Sequence, residues 1–310
     1  MGKYVIKRIL LIIPILLGVS FIIYWVMAHT PSDPASIILS GNVTQEQIDA
    51  LNHELGYDQP VLVQYFNFVK NVFLHFDFGN SYRTGKPVIQ EIMLRFPTTV
   101  KLAVSSMVLS ALIGISLGVL SAVKQYSILD TCLTIICMLS AAIPAFWLGM
   151  LLILKFGLEL GWLPVMGVDT WTGYILPSVT LSLVSGAGIM RLMRTTMLET
   201  IRADYVRTAR AKGAKESTVI WKHALNNALL PVITVLGNNF GTLLGGAVVC
   251  ETVFTIPGLG SYLVSAIRQK DVPVVTGCTL FIAAMFCVVV LLVDILYAFI
   301  DPRVKAKYSK

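Results

Sequence analysis

Charge is scarce in this 310-residue chain: 13% of residues are Asp, Glu, Lys or Arg, about half the share of an average soluble domain. A water-solvated surface cannot be built at that density, so an ordinary soluble enzyme is excluded. Nucleotide chemistry is missing too. Gly79-Asn80-Ser81-Tyr82-Arg83-Thr84-Gly85-Lys86-Pro87 comes nearest to a phosphate loop, but it has one residue too many between its glycines and Pro where Ser or Thr must bind magnesium. The four histidines form no H-E-x-x-H, since His53-Glu54 is followed by Tyr57 at the required position. The five cysteines, Cys132, Cys137, Cys250, Cys278 and Cys287, lie in or at the ends of apolar runs. Their spacing fits neither zinc nor a disulfide framework, and they read as small buried apolar side chains. Gly114-Ile115-Ser116-Leu117-Gly118 spells a nucleophile elbow but falls inside an apolar run, where that strand-turn-helix cannot form. No catalytic residue, metal site or cofactor is therefore expected in this chain.

What the chain has is length without charge. Six stretches reach the roughly 20 residues that a helix needs to cross a bilayer: Ile9 to Ser32, Leu102 to Val123, Thr131 to Leu154, Trp171 to Met190, Ala224 to Cys250 and Val272 to Val293. The first is too long for a signal-peptide core and reads as an uncleaved helix. With the N-terminus placed inside, 16 of the 24 basic residues fall in inside segments, among them Lys3, Lys7, Arg8 and Lys124. The outside segments carry 8 basic residues against 11 acids. The net charge of +7 thus follows the positive-inside rule, with both termini cytoplasmic, and does not point to nucleic acid.

The expected fold class is an all-α polytopic membrane protein with six transmembrane helices. Residues 1–32 hold the N-terminus and first helix, 33–97 a small extracytoplasmic subdomain, and 98–310 a five-helix core with a cytoplasmic loop at 191–223. The subdomain has apolar positions of its own, including Val61, Leu62, Val63, Tyr65, Phe66 and Phe68. Gly114 and Gly118, and Gly237, Gly241 and Gly245, recur at four-residue spacing and let helices approach closely. Pro144 and Pro231 should perturb their helices. Asp294, beside the run Phe286 to Val293, is either a proton relay or a carboxylate paired at a helix interface; with no intramembrane charge apparent in other spans, the structural reading is preferred.

The inside loop carries the clearest functional pattern. Asp204-Tyr205-Val206-Arg207-Thr208-Ala209-Arg210-Ala211-Lys212-Gly213 reads as a short helix ending in a left-handed glycine, with small residues that permit close approach. Ile220, Trp221, Ala224 and Leu225 suggest a second helix with one apolar face. A merely solvated loop needs neither, so the pattern predicts a docking surface for a cytoplasmic partner.

At this loop the sequence resembles the membrane subunits of bacterial ABC importers, whose coupling segment follows E-A-A-x-x-x-G; here only Ala209 and Gly213 match. The dipeptide, oligopeptide and nickel permeases look similar along the whole chain. The shared segments are Leu55-Gly56-Tyr57-Asp58-Gln59-Pro60, Phe78-Gly79-Asn80-Ser81 with Thr84 to Val88, Pro144-Ala145-Phe146-Trp147-Leu148-Gly149, Asp204 to Gly213, His223 to Pro231, Glu251 to Gly260, and Asp294-Tyr297-Asp301-Pro302-Arg303. The resemblance implies a lipid-embedded permease of the bacterial or archaeal inner membrane. Its expected partners are a second homologous permease, two cytoplasmic ABC ATPase subunits and an extracytoplasmic substrate-binding protein. ATP would be hydrolysed in the partners, and Asp204, Tyr205, Arg207, Thr208, Ala209, Arg210, Ala211 and Gly213 would contact an ATPase. Cargo would be a peptide, or alternatively nickel; a proton-coupled secondary transporter is the reading outside this family. The residues lining the substrate path are not identified by the sequence.

Overall fold

In hydrocarbon a chain must satisfy its own N–H and C=O groups, so apolar runs of bilayer length become helices. The computed structural model describes residues 2–30, 33–39 and 44–300, and the only strand-like pairing among them is an isolated bridge between Asn80 and Pro87. The first long helix is α1 (Gly2–Ala28). Three short helices follow: α2 (Pro34–Leu39), α3 (Gln45–Glu54) and α4 (Val61–His75). Next come α5 (Val88–Val123), α6 (Ile128–Ala142), α7 (Ala145–Leu152), which runs on as a π-helical turn over Ile153–Glu159, and α8 (Ile175–Ile201). Beyond it lie α9 (Asp204–Ala211), α10 (Glu216–Thr218), a π-helical turn over Val219–Ala224, α11 (Leu225–Gly246), α12 (Val248–Val253), α13 (Leu259–Gln269) and α14 (Val272–Ile300).

Five of the described segments are long and apolar enough to cross a membrane unbroken; α6 and α7 with its π-helical turn are bent by 102° at their junction, and make a sixth only if the pair is one broken span and not a re-entrant loop. The bend corrects the expectation of a third span running through Thr131 to Leu154. Ile143 caps α6 in an extended conformation and Pro144 caps α7, because proline removes an N–H and drives the residue before it out of the helical region. Pro231, by contrast, stays inside α11.

The core is built on the pairing of α5 with α8. Both glycines expected to bring helices together do so here. A Cβ on Gly114 would stand 2.6 Å from the Ile189 side chain, and one on Gly118 would stand 2.6 Å from Met193 and 2.8 Å from the Met190 carbonyl. Gly237 and Gly241 do the same for α11 against Val293 and Phe286 of α14. Cys137, Cys250 and Cys278 are buried as expected, Cys287 is half-buried, and Cys132 is exposed on α6, against the expectation. In residues 33–97 the buried Tyr65 of α4 packs on α1, its hydroxyl 3.0 Å from the Leu17 carbonyl and 3.1 Å from the Ser20 hydroxyl. Leu62, Val63, Phe66 and Leu74 of α4 remain exposed.

Candidate functional site

At one end of the bundle α8 runs into α9 through a two-residue turn. One side chain of α9, Val206, is fully buried; Asp204, Tyr205, Arg207, Thr208, Arg210 and Ala211 are exposed and Ala209 is partly covered. Small residues and a single apolar anchor thus yield a helix held from behind and open in front. The helix closes on Gly213, at φ +78°, whose N–H donates to the Arg210 carbonyl at 2.9 Å, while the Ala214 N–H donates to Ala209 at 3.2 Å. Those are the reversals that a left-handed C-terminal glycine makes. Among the described residues, its chain neighbours aside, nothing lies within 4 Å of a Cβ placed there. Arg210 forks onto Glu216 at 2.7 and 3.1 Å, fixing α9 relative to the start of α10. Ala224 is fully buried behind it, yet Trp221 is exposed, so the apolar face expected to contain both residues splits between core and surface.

A buried ion pair that the sequence did not reveal holds the stem of this helix. Asp130, in the first turn of α6, is 4% exposed and takes both Nε and Nη2 of Arg194 on α8, at 2.8 and 2.7 Å. The Ser121 hydroxyl and the Tyr126 N–H also donate to it, the latter at 3.0 Å. The end of α5, its turn and α6 are thereby locked to the segment of α8 that leads into α9.

The opposite end carries a second buried carboxylate. Glu251 on α12 is fully buried with no cation beside it among the described residues. Its Oε1 accepts from Thr99 of α5 at 2.7 Å and its Oε2 from the Ser261 N–H at 2.9 Å, in the first turn of α13. Burial raises the carboxyl's pKa, and the Thr99, Ser261 and Gly260 donors offset part of that rise. A carboxylate here meets the free N–H groups and positive end of a helix. This explains the spelling Ile256-Pro257-Gly258-Leu259-Gly260: a Cβ on Gly258 would run into the Glu251 carboxylate, and one on Gly260 would stand 2.6 Å from the Val248 backbone.

Nearby, Asp271 accepts from the Ser81 hydroxyl at 2.5 Å and the Tyr82 N–H at 3.1 Å. The Gly79 to Pro87 loop therefore spends its donors on Asp271 and on its own turn, with Ser81 N–H to Lys86 at 3.0 Å, and does not form a phosphate cradle. A cleft of about 390 Å3 lies beside it, lined by His53, Tyr57, Asp77, Tyr82 and Pro273 among others. His53 is paired with Asp58 at 2.7 Å, and that hydrogen bond raises the imidazole pKa.

Asp294 has a partner after all. Arg8 of α1 lies 3.1 Å from it, so the structural reading holds, while the assumption that no other span offers a charge does not. Asp301, Pro302 and Arg303 of the terminal pattern lie outside the described residues, as does the Tyr297 side chain.

A helical bundle with five or six candidate membrane spans and a short exposed helix at one end defines a multi-pass membrane protein. A family model described as "Binding-protein-dependent transport system inner membrane component" matches residues 114–306, and its N-terminal companion matches residues 1–103. The chain is 41% identical over 307 residues to the glutathione transport system permease protein GsiC of Escherichia coli K12, covering 99% of this chain and all of that one. It is 42% identical over the same extent to the GsiC of Pectobacterium atrosepticum. Among solved structures, an inward-facing MetNI methionine ABC transporter superposes with a TM-score of 0.59 at 20% identity, over 70% of this chain and 99% of that one; this likeness concerns the fold. The chain belongs to the family of binding-protein-dependent transport system inner membrane components.

Proposed function

We propose that this chain is one of two membrane subunits of an ATP-driven importer for short peptides, and that α9 converts ATPase closure into rearrangement of the spans. The supporting observation is the build of α9: one buried anchor, an exposed face of small and basic residues, and a rigid stem tied through Arg194 to α5 and α6. Asp204, Tyr205, Arg207, Thr208, Ala209, Arg210, Ala211 and Gly213 would lie in a groove of the ATPase, and rotation would pass up α8 as a rigid body. ATP hydrolysis then belongs to two partner subunits, and cargo arrives on a separate binding protein. The charge asymmetry puts α9 in the cytoplasm together with both termini, and residues 33–97, α12 and α13 on the outer side. Relatives named for glutathione, itself a tripeptide, favour peptide over nickel as cargo.

Two substitutions at Gly213 test this. Gly213→Ala adds left-handed strain of about 1 kcal/mol; Gly213→Trp adds bulk at an exposed position where no described residue, its chain neighbours aside, lies within 4 Å of the added Cβ, so a loss beyond that of alanine reports a docked partner. The expected result is normal insertion of both, near-normal peptide uptake with alanine, and loss of uptake or of ATPase association with tryptophan. Unimpaired uptake by the Gly213→Trp complex at matched expression removes α9 from the coupling path.

A further inference from the structure

One face of α11 is unsuited to lipid. The helix buries Ala228, Val232, Leu243 and Leu244 in the clusters shared with α5 and α8, and sets Gly237 and Gly241 against α14. Asn227, Pro231, Asn238 and Thr242, at spacings of four, seven and four residues, share another face, and all are exposed. The exposed side chains along α1, α6 and α14 include Ile9, Leu10 and Ile13, Ile135 and Leu139, and Leu292; α5 adds an exposed Ser116, on a helix that also packs against α11.

Asn238 sits one residue from the midpoint of the apolar run Ala224 to Cys250. No intrachain hydrogen bond engages its carboxamide among the described residues; Thr242 Oγ1 donates to its backbone oxygen at 3.0 Å. One helical turn past Asn227, Pro231 offers no N–H, so the Asn227 carbonyl lacks its helical donor on this same face. Polar groups at that depth need water or a polar partner. A dry contact with another subunit would call for small residues, and the glycines of α11 are already used against α14.

We infer that the Asn227 to Thr242 face of α11 lines the water-filled passage through the importer, and that Asn238 exchanges hydrogen bonds with the amide groups of peptide cargo in transit. A carboxamide suits that cargo because it carries the peptide group's own donor and acceptor. The inference rests on the importer reading and deepens it.

The test uses the complete transporter in a cysteine-free background. Asn238→Cys and the lipid-facing control Leu292→Cys are exposed to a small, charged, membrane-impermeant thiosulfonate. Asn238→Cys should react at least tenfold faster. Radiolabelled glutathione serves as the uptake probe: Asn238→Leu should lower uptake about tenfold while ATP turnover persists, and Asn238→Gln should keep most of it. Equal, slow labelling of both cysteines would mean a lipid-facing stripe. Protection from the reagent together with oxidative cross-linking of Asn238→Cys to a cysteine introduced on the facing helix of the second permease would mean a dry subunit contact. Either overturns the inference, as does unchanged uptake with Asn238→Leu. If that variant fails to insert, the labelling and Asn238→Gln decide. Absence of glutathione uptake in the unmodified complex would count against the peptide reading instead, because the labelling requires no transport.

Discussion

Removing one member of the Asp130 and Arg194 pair should be far more damaging than removing both. In Asp130→Leu, Arg194 keeps a charge on a side chain only 26% exposed, and the Tyr126 N–H and Ser121 hydroxyl lose their acceptor. Breaking a buried pair from one side costs about 3–5 kcal/mol. The partial exposure of Arg194 returns some hydration, and each orphaned donor takes back about 1 kcal/mol, so an overall loss of about 3–4 kcal/mol is expected. Arg194→Met strands a carboxylate that is almost fully enclosed and should cost at least as much. In the double variant Asp130→Leu with Arg194→Met no charge is left without a partner, and apolar replacement of buried pairs is often near neutral. The double variant should therefore lose less than half the sum of the singles, with a coupling of about 2 kcal/mol or more in the cycle. Reversible unfolding of the purified chain in mixed detergent micelles measures all four corners. Additive losses, or an unshifted Asp130→Leu, would refute the claim that this pair ties α8 to α6.

Three further outcomes follow from the geometry. Because burial raises the Glu251 pKa, the folded chain holds that proton more tightly than the unfolded chain. The stability difference between the natural chain and Glu251→Gln should be most favourable below the unfolded value and decline as pH rises through the folded one; a difference independent of pH from 4 to 9 would contradict this. Gly118→Ala should destabilise by about 1–3 kcal/mol, since its Cβ has no room beside Met193, whereas Gly18→Ala on α1 meets nothing within 4 Å and should be neutral or stabilising by up to about 1 kcal/mol. Unfolding midpoints of opposite sign check the pair. Single cysteines at the exposed Thr84 and Ser217, in a cysteine-free background, should label from opposite sides of the membrane; labelling from the same side would break the topology.

The sequence alone determined the features that depend on local composition. Bilayer length and the absence of charge set the spans, because a helix in hydrocarbon is selected by its solvent and needs no distant partner. The small-residue pairs on α5 and α11 and the left-handed end of α9 at Gly213 were legible for the same reason: each follows from side-chain size or backbone freedom at a known spacing. Tertiary structure decided what depends on meeting across the bundle. Asp130 finds Arg194 from 64 residues away, Thr99 finds Glu251 from 152, and Arg8 of the first span meets Asp294 of the last. A carboxylate next to an apolar run signals that a partner is needed and does not say which one. The 102° break between α6 and α7 had a visible cause in Pro144 but no visible size, since the angle is set by what the two halves pack against. Nor could periodicity tell lipid from passage on α11. Asn238 becomes informative only once packing shows that α5, α8 and α14 occupy the other faces of that helix.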